Sequence, residues 1–444
     1  MRVAIIGASF AGVAAALEVR KKFKQAEIFL LEKQSKLGYI PNGLHLYLDK
    51  KIASLEEAYF ITVEQLQKQH IQLHLSSEVE KVDIGQKQVS YRNPEGEETL
   101  TYDKLIIATG SSQLSQKISG CDTTRVLKYK RFHEAEDALE KLKGSRQVTV
   151  IGGGQIGVEA ADLLQKNGKQ VTLIENMDYV LFKYFDKEMI EPLQAEMEKA
   201  GVTLHLNQTV SSVEETDEQV MAHLLNETIV SDTAILAVNV RPDLRFLGDQ
   251  IKLHTDNTIA VDEYLRTSEP DVFAVGDCIQ LPFGVDNDTF YIPLINNAIR
   301  TGMVAAANLV EPVLPFKGSL RTIGTSTFGY YIASTGMTEE ESLFYSQPVT
   351  AVRQVVKLNS LPTAETVTIK YLYDTESRVL LGAQLVSKAN ILDKINTLAL
   401  AIQTKQTIED LMQKDFFFHP VYTNLIETTN LVPWPDVRCD AYED

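Results

Sequence analysis

Two glycine-rich turns stand out as residues whose types and spacing can do chemistry. The first is Gly7-Ala8-Ser9-Phe10-Ala11-Gly12, with Glu32 placed 20 residues beyond Gly12. The second is Gly152-Gly153-Gly154-Gln155-Ile156-Gly157, with Glu175 closing the next apolar run. An opening glycine allows a tight turn, and a final glycine lets a helix pack closely on a strand. The unpaired N–H groups that begin such a helix attract a pyrophosphate, and a carboxylate after the next strand accepts hydrogen bonds from a ribose diol. The first turn lacks the middle glycine of G-x-G-x-x-G, whereas the second is complete.

The elements around these turns repeat. Residues 3–33 and 148–176 both read as an apolar strand, a glycine turn, an alanine-rich helix and a second strand ending near an acid. Two βαβ units imply two dinucleotide sites. Between them, residues 72–75 and 78–84 read as strands, Asn93-Pro94-Glu95-Gly96 as a turn, and Leu105 to Gly110 as a buried strand ending in glycine. Strands follow at 202–206 and 233–238, and the segment from Asp271 to Asp277 is another strand ending in a glycine and an acid. From about Arg321 the pattern changes to alternating strands, then to a helical stretch from Ile391 to Gln413.

The 444 residues give a prior of about three domains. The expected architecture is α/β, with a discontinuous first dinucleotide-binding domain (1–112 and 242–320), a second (113–241), and a C-terminal α+β domain (321–444). The chain carries 43 basic and 60 acidic residues, a net charge of −17, without a basic block. That excludes sequence-independent nucleic-acid binding, which needs clustered Lys and Arg. No apolar run is long enough to span a membrane. The N-terminal apolar stretch is expected to be a strand and helix, because Gly7 and Gly12 interrupt it. Cys121, Cys278 and Cys439 are too few and too scattered for a disulfide framework or a zinc site, so no metal is expected and a cytoplasmic location is.

Several segments together carry a family resemblance: GASFAG with Glu32, YDKLIIATGSS, VIGGGQIGVEAA with Glu175, AVNVRPD, SEPDVFAVGDC, IPLINNAIRTGMVAAANL, GTSTFGYYIASTGMTEEES and DFFFHPVYTN. In this order they resemble the pyridine nucleotide-disulfide oxidoreductases, and within them the NADH oxidase, NADH peroxidase and coenzyme A-disulfide reductase branch. The resemblance implies FAD on the first βαβ unit, with Gly7, Ser9, Ala11, Gly12, Glu32 and Lys33 around its ADP half and Val79 offering backbone to the adenine. Thr109, Gly110, Asp277, Leu294 and Ile295 would surround the rest of the flavin nucleotide. The second turn, through Gly152, Gly154, Ile156 and Gly157, would hold NADH. Glu175 favours the free 2′-hydroxyl of NADH, and no Arg lies between it and Lys183 to accept the phosphate of NADPH. Glu159 matches an acid close to the nicotinamide, a solvated helix position being the alternative.

The chain also departs from that pattern. Asn42 occupies the register of the family's redox cysteine, Phe10 stands where a histidine is usual, and no C-x4-C pair is present. An amide forms no thiolate or sulfenic acid. His419, before Pro420, resembles a C-terminal His-Pro that serves as acid and base at the flavin of the other subunit, with Tyr422 a weaker candidate. His45 is expected to be a partly exposed helix residue, and Cys278 a small buried residue. The resulting expectation is a homodimeric FAD-dependent NADH oxidoreductase that reduces a small acceptor directly. A reductase for a small electron-transfer protein and a non-catalytic redox sensor are the alternatives; the acidic balance disfavours an acidic protein partner.

Overall fold

The computed structural model describes residues 1–113, 118–238, 240–286 and 288–423. Arg2–Ile6 is the middle strand of a five-stranded parallel sheet, in the order Val272–Ala274, Lys104–Ile107, Arg2–Ile6, Glu27–Leu31, Ile71–His74. Val3, Ala4, Ile5 and Ile6 are all buried, as a strand covered on both faces requires. Helix α1 (Phe10–Lys22) follows the first turn, and two short helices, α2 (Gly43–Leu48) and α3 (Val63–Lys68), precede the outer strand. An antiparallel meander, Glu78–Asp83, Gln88–Asn93 and Gly96–Thr101, is inserted before Lys104–Ile107. Its turn is closed by Asn93, whose Oδ1 accepts from Glu95 N and Gly96 N.

A second five-stranded parallel sheet has the order Thr203–His205, Gln170–Ile174, Gln147–Ile151, Thr233–Leu236, Val126–Leu127. It is accompanied by α4 (Phe132–Gly144), α5 (Gln155–Lys166) and α6 (Lys187–Lys199). The chain then returns to the first sheet at Val272–Ala274, and α7 (Ile295–Ala307) packs on α1. The crossing is close: a Cβ on Gly302 would stand 2.3 Å from Ala11 O.

The C-terminal region is an antiparallel sheet in the order Ile323–Thr327, Tyr330–Gly336, Leu380–Ser387, Thr366–Asp374, Val349–Lys357. It carries α8 (Glu339–Ser342), α9 (Lys394–Gln403) and α10 (Ile408–Met412). The helix expected from Ile391 to Gln413 is therefore two. Lys405 takes a φ of 53°, and the Thr407 side chain starts a new helix by accepting from Asp410 N. Lys370 joins this sheet to the start of α6. Its amine is buried among Asp186 (2.8 Å), Glu339 (2.5 Å) and Glu188, and Gln384 donates to the same Asp186 oxygen at 2.6 Å. These three carboxylates converge closely enough to hold an ion, and the lysine ammonium fills that place.

Candidate functional site

The repeat read from sequence extends to individual hydrogen bonds. Gly7 N donates to Leu31 O and Gly152 N to Ile174 O, both at 2.8 Å. Both opening glycines have positive φ, 102° and 110°. Cβ atoms on Gly12 and Gly157 would fall 1.8 and 1.9 Å from the carbonyl oxygens of Gly7 and Gly152, so neither closing position admits a side chain. Glu32 Oε2 accepts from Ala8 N at 2.9 Å and Glu175 Oε2 from Gly153 N at 2.6 Å. Their other oxygens accept from Gln34 N and Met177 N, both at 2.9 Å. Each carboxylate thus staples its turn, and each oxygen keeps a lone pair for a ribose hydroxyl.

The starts of two sets of helices differ. Helices α3, α8 and α10 close their own N-termini with capping boxes built on Thr62, Thr338 and Thr407. Helices α1, α5 and α7 begin at Ser9, Gly154 and Leu294 without a side-chain cap and without an acid in the first turn. Their first N–H groups are available to an anion or a carbonyl. Around Gly110 (φ 67°) and Gly154 no other heavy atom would touch an added Cβ. The open backbone at Gly110 and the uncapped helix start at Gly154 fit the close approach of two dinucleotides. Ile156 and Ile295 are exposed beside two of these ends. Lys33 is exposed next to Glu32, Thr109 and Gly110 are half-buried, and Val79 lies at a bulge where its strand's pairing shifts.

Asp277 is compensated by groups of the chain itself. Ser111 Oγ donates to its Oδ2 at 2.6 Å, and Lys130 Nζ donates to the same oxygen at 3.1 Å and to Ser111 at 2.6 Å. Lys130 carries no motif and was invisible in sequence. The next residue, Cys278, is fully buried, with Gly110 N donating to its sulfur at 3.2 Å. Burial pushes its thiol up to about 11, which leaves it protonated at neutral pH. Cys121 is also buried and raised to about 11 by burial. Cys439 lies outside the described residues.

Asn42 is exposed at the start of α2, and its side chain makes no capping bond. Phe10, the first residue of α1, stacks on Phe60 with ring centroids 3.9 Å apart, an apolar contact in place of an acid–base group. His45, one turn beyond Asn42, is only 7% exposed rather than partly exposed. Its Nε2 lies 3.0 Å from Tyr129 Oη, and its Nδ1 lies 3.4 Å from Glu159 Oε2. Glu159 is not a solvated helix residue: its Oε1 accepts from Thr325 Oγ1 at 2.6 Å and from Gln155 Nε2 at 2.9 Å. The array joins α2, α5 and the first strand of the C-terminal sheet. Burial raises the Glu159 carboxyl, but its contacts with His45, Thr325 and Gln155 outweigh burial and hold it below the ordinary value. His419 and Tyr422 remain apart from all of this. Both are exposed, with rings 4.8 Å from each other, on the segment that follows α10.

Two parallel sheets with stapled glycine turns, joined to an antiparallel C-terminal sheet, define an oxidoreductase that uses FAD and a pyridine nucleotide. Residues 1–302 match the pyridine nucleotide-disulphide oxidoreductase family and residues 324–429 match its dimerisation domain, so the chain belongs to that family. It is 32% identical over 438 residues to an NADH oxidase of Enterococcus faecalis, covering 97% of this chain and 98% of that one. Among solved structures it resembles a pyridine nucleotide-disulfide family oxidoreductase from E. faecalis (44% identity, TM-score 0.89), covering 97% of both chains. It also resembles the water-forming NADH oxidase of Lactobacillus brevis bound to NADH (29% identity, TM-score 0.92), again over 97% of both.

Proposed function

We propose that this chain is an NADH oxidase in which reduced flavin serves a small acceptor directly, with dioxygen giving hydrogen peroxide as the first candidate and a quinone as the next. The observation that carries this reading is Asn42 at the exposed start of α2, in the register of the family's redox cysteine. The described thiols offer no replacement, since Cys121 and Cys278 are buried and protonated. FAD, when bound, supplies the hydride acceptor and the route for electrons from NADH to the second substrate. The chain's own residues bind and orient. Under this reading the Glu32 turn, Asp277 and the α1 and α7 N-termini hold FAD within residues 1–112 and 242–320. The Glu175 turn and α5 hold NADH within 113–241, with Glu175 selecting the 2′-hydroxyl. The chain works as a homodimer through residues 321–444, and His419 serves the flavin of the second copy.

Anaerobic addition of NADH to the purified flavoprotein should bleach the flavin with two electrons per FAD and without a long-wavelength thiolate band. Aerobic turnover should release peroxide. Uptake of four electrons per FAD, or water as the product, would sink the cysteine-free route. Bleaching reversed only by an added redox protein would favour a reductase for a protein partner instead.

A further inference from the structure

A crevice of about 230 Å³ lies where α7, the segment before the C-terminal sheet and α9 meet. Its polar lining is Asn296 and Arg300 from α7, Ser319 and Thr322 from the segment, and Asn396 and Gln403 from α9. No acidic side chain lines it, in a chain whose acids outnumber its bases. Arg300 is half-buried there. Its Nη2 donates to Gly318 O at 2.6 Å and its Nη1 to Asn297 Oδ1 at 3.3 Å, both uncharged acceptors, and its other face lies 4.8 Å from the centre of the Phe316 ring. Burial pushes the guanidinium below the ordinary arginine value, and no carboxylate among the described residues acts against that. Arginine nonetheless keeps its charge. Arg321, in the same segment as Ser319, shows the usual compensation, since its Nη1 donates to Glu341 Oε1 at 2.6 Å. Ser319 is also short of a partner. Only 2% exposed, its Oγ accepts from Arg321 N at 3.1 Å, and its own proton has no acceptor among the described residues.

A partly desolvated cation with neutral partners, beside a buried hydroxyl with a proton to donate, is complementary to an anion. The volume falls below that of ordinary nucleotide-sized pockets, which leaves room for one small group. We propose that this crevice binds one small oxyanion, a phosphate or a short carboxylate, through Arg300 and Ser319. The bound ion would bridge α7, which packs on α1, to α9 of the C-terminal region, and so fasten the first nucleotide-binding sheet's helical layer to that region. The inference does not depend on which acceptor the flavin serves.

The test is calorimetric titration of the full-length FAD holoenzyme with inorganic phosphate and, separately, with acetate, at fixed ionic strength. At least one of them should fill a single saturable site per chain, with a dissociation constant on the order of 1 mM. Binding of phosphate alone, of acetate alone or of both supports the site and names its ligand. Arg300→Gln should weaken binding by roughly tenfold or more. Asn396→Asp is an independent arm at an exposed position: by bringing a carboxylate to the lining, it should abolish anion binding and raise the thermal midpoint of the ion-free protein. Arg245→Gln, which removes an exposed arginine already paired with Asp243, should bind the ion as the parent does. Absence of saturable binding by either ion, or binding that survives in both Arg300→Gln and Asn396→Asp, overturns the inference. Failure of NADH to bleach the flavin overturns the proposed function alone.

Discussion

Glu175 does two jobs with one carboxylate: it holds the second glycine turn through Gly153 N and stands ready for a ribose hydroxyl. Glu175→Gln would set an amide donor against Gly153 N or Met177 N, leaving a buried group unsatisfied at about 1–3 kcal/mol. NADH affinity should fall by roughly tenfold or more with a smaller loss for NADPH; equal affinities in calorimetry would remove Glu175 from nucleotide selection. The cysteines make a second residue-scale prediction. In the folded protein Cys121 and Cys278 should resist alkylation at neutral pH and react once denatured, because both are buried and protonated. Rapid labelling of Cys278 in the native state would reopen a thiol route. At this scale sequence was informative where a turn fixes the residue type, as at Gly12 and Gly157. It was silent where partners are far apart: His45 lies 84 positions from Tyr129, and Lys130 lies 147 from Asp277.

At the scale of elements, the buried Lys370 ties α6 to the C-terminal sheet. Lys370→Met would leave Asp186 buried without its cation, a loss of about 3–5 kcal/mol that should appear as an earlier first unfolding transition in denaturant. Asp186→Asn should recover part of that loss in the same background. No recovery would show that the lysine acts by packing rather than by charge. The parallel sheets were legible because their central strands are continuous apolar, largely β-branched runs that end at a glycine. At α2 a helix was expected around His45 but not its buried face, since six residues are too few to show a helical period, and this concealed the burial of His45. The break between α9 and α10 was missed because Lys405 adopts its positive φ without a glycine to announce it.

For the whole molecule, the core does not follow the boundary at residue 112. Tyr39, Leu44, Leu55 and Ala58 pack with Phe132, Val158 and Ala161, so the α2 region contributes to the core of the second nucleotide-binding half. After α10, Phe416, Phe417 and Phe418 are 46, 72 and 48% exposed, a run of aromatic surface that none of the described residues covers. Sedimentation should therefore give twice the chain mass, and Phe417→Asp should shift it toward the monomer; a monomeric parent protein would refute the assembly. The uncapped starts of α1, α5 and α7 have a further effect. Ligands that complete them bind only the native chain, so FAD at a thousand times its dissociation constant adds about 4 kcal/mol to stability. When riboflavin is scarce, newly made chains would be cleared by proteases before they could act, and the cellular level of this protein would follow vitamin supply without any dedicated regulator.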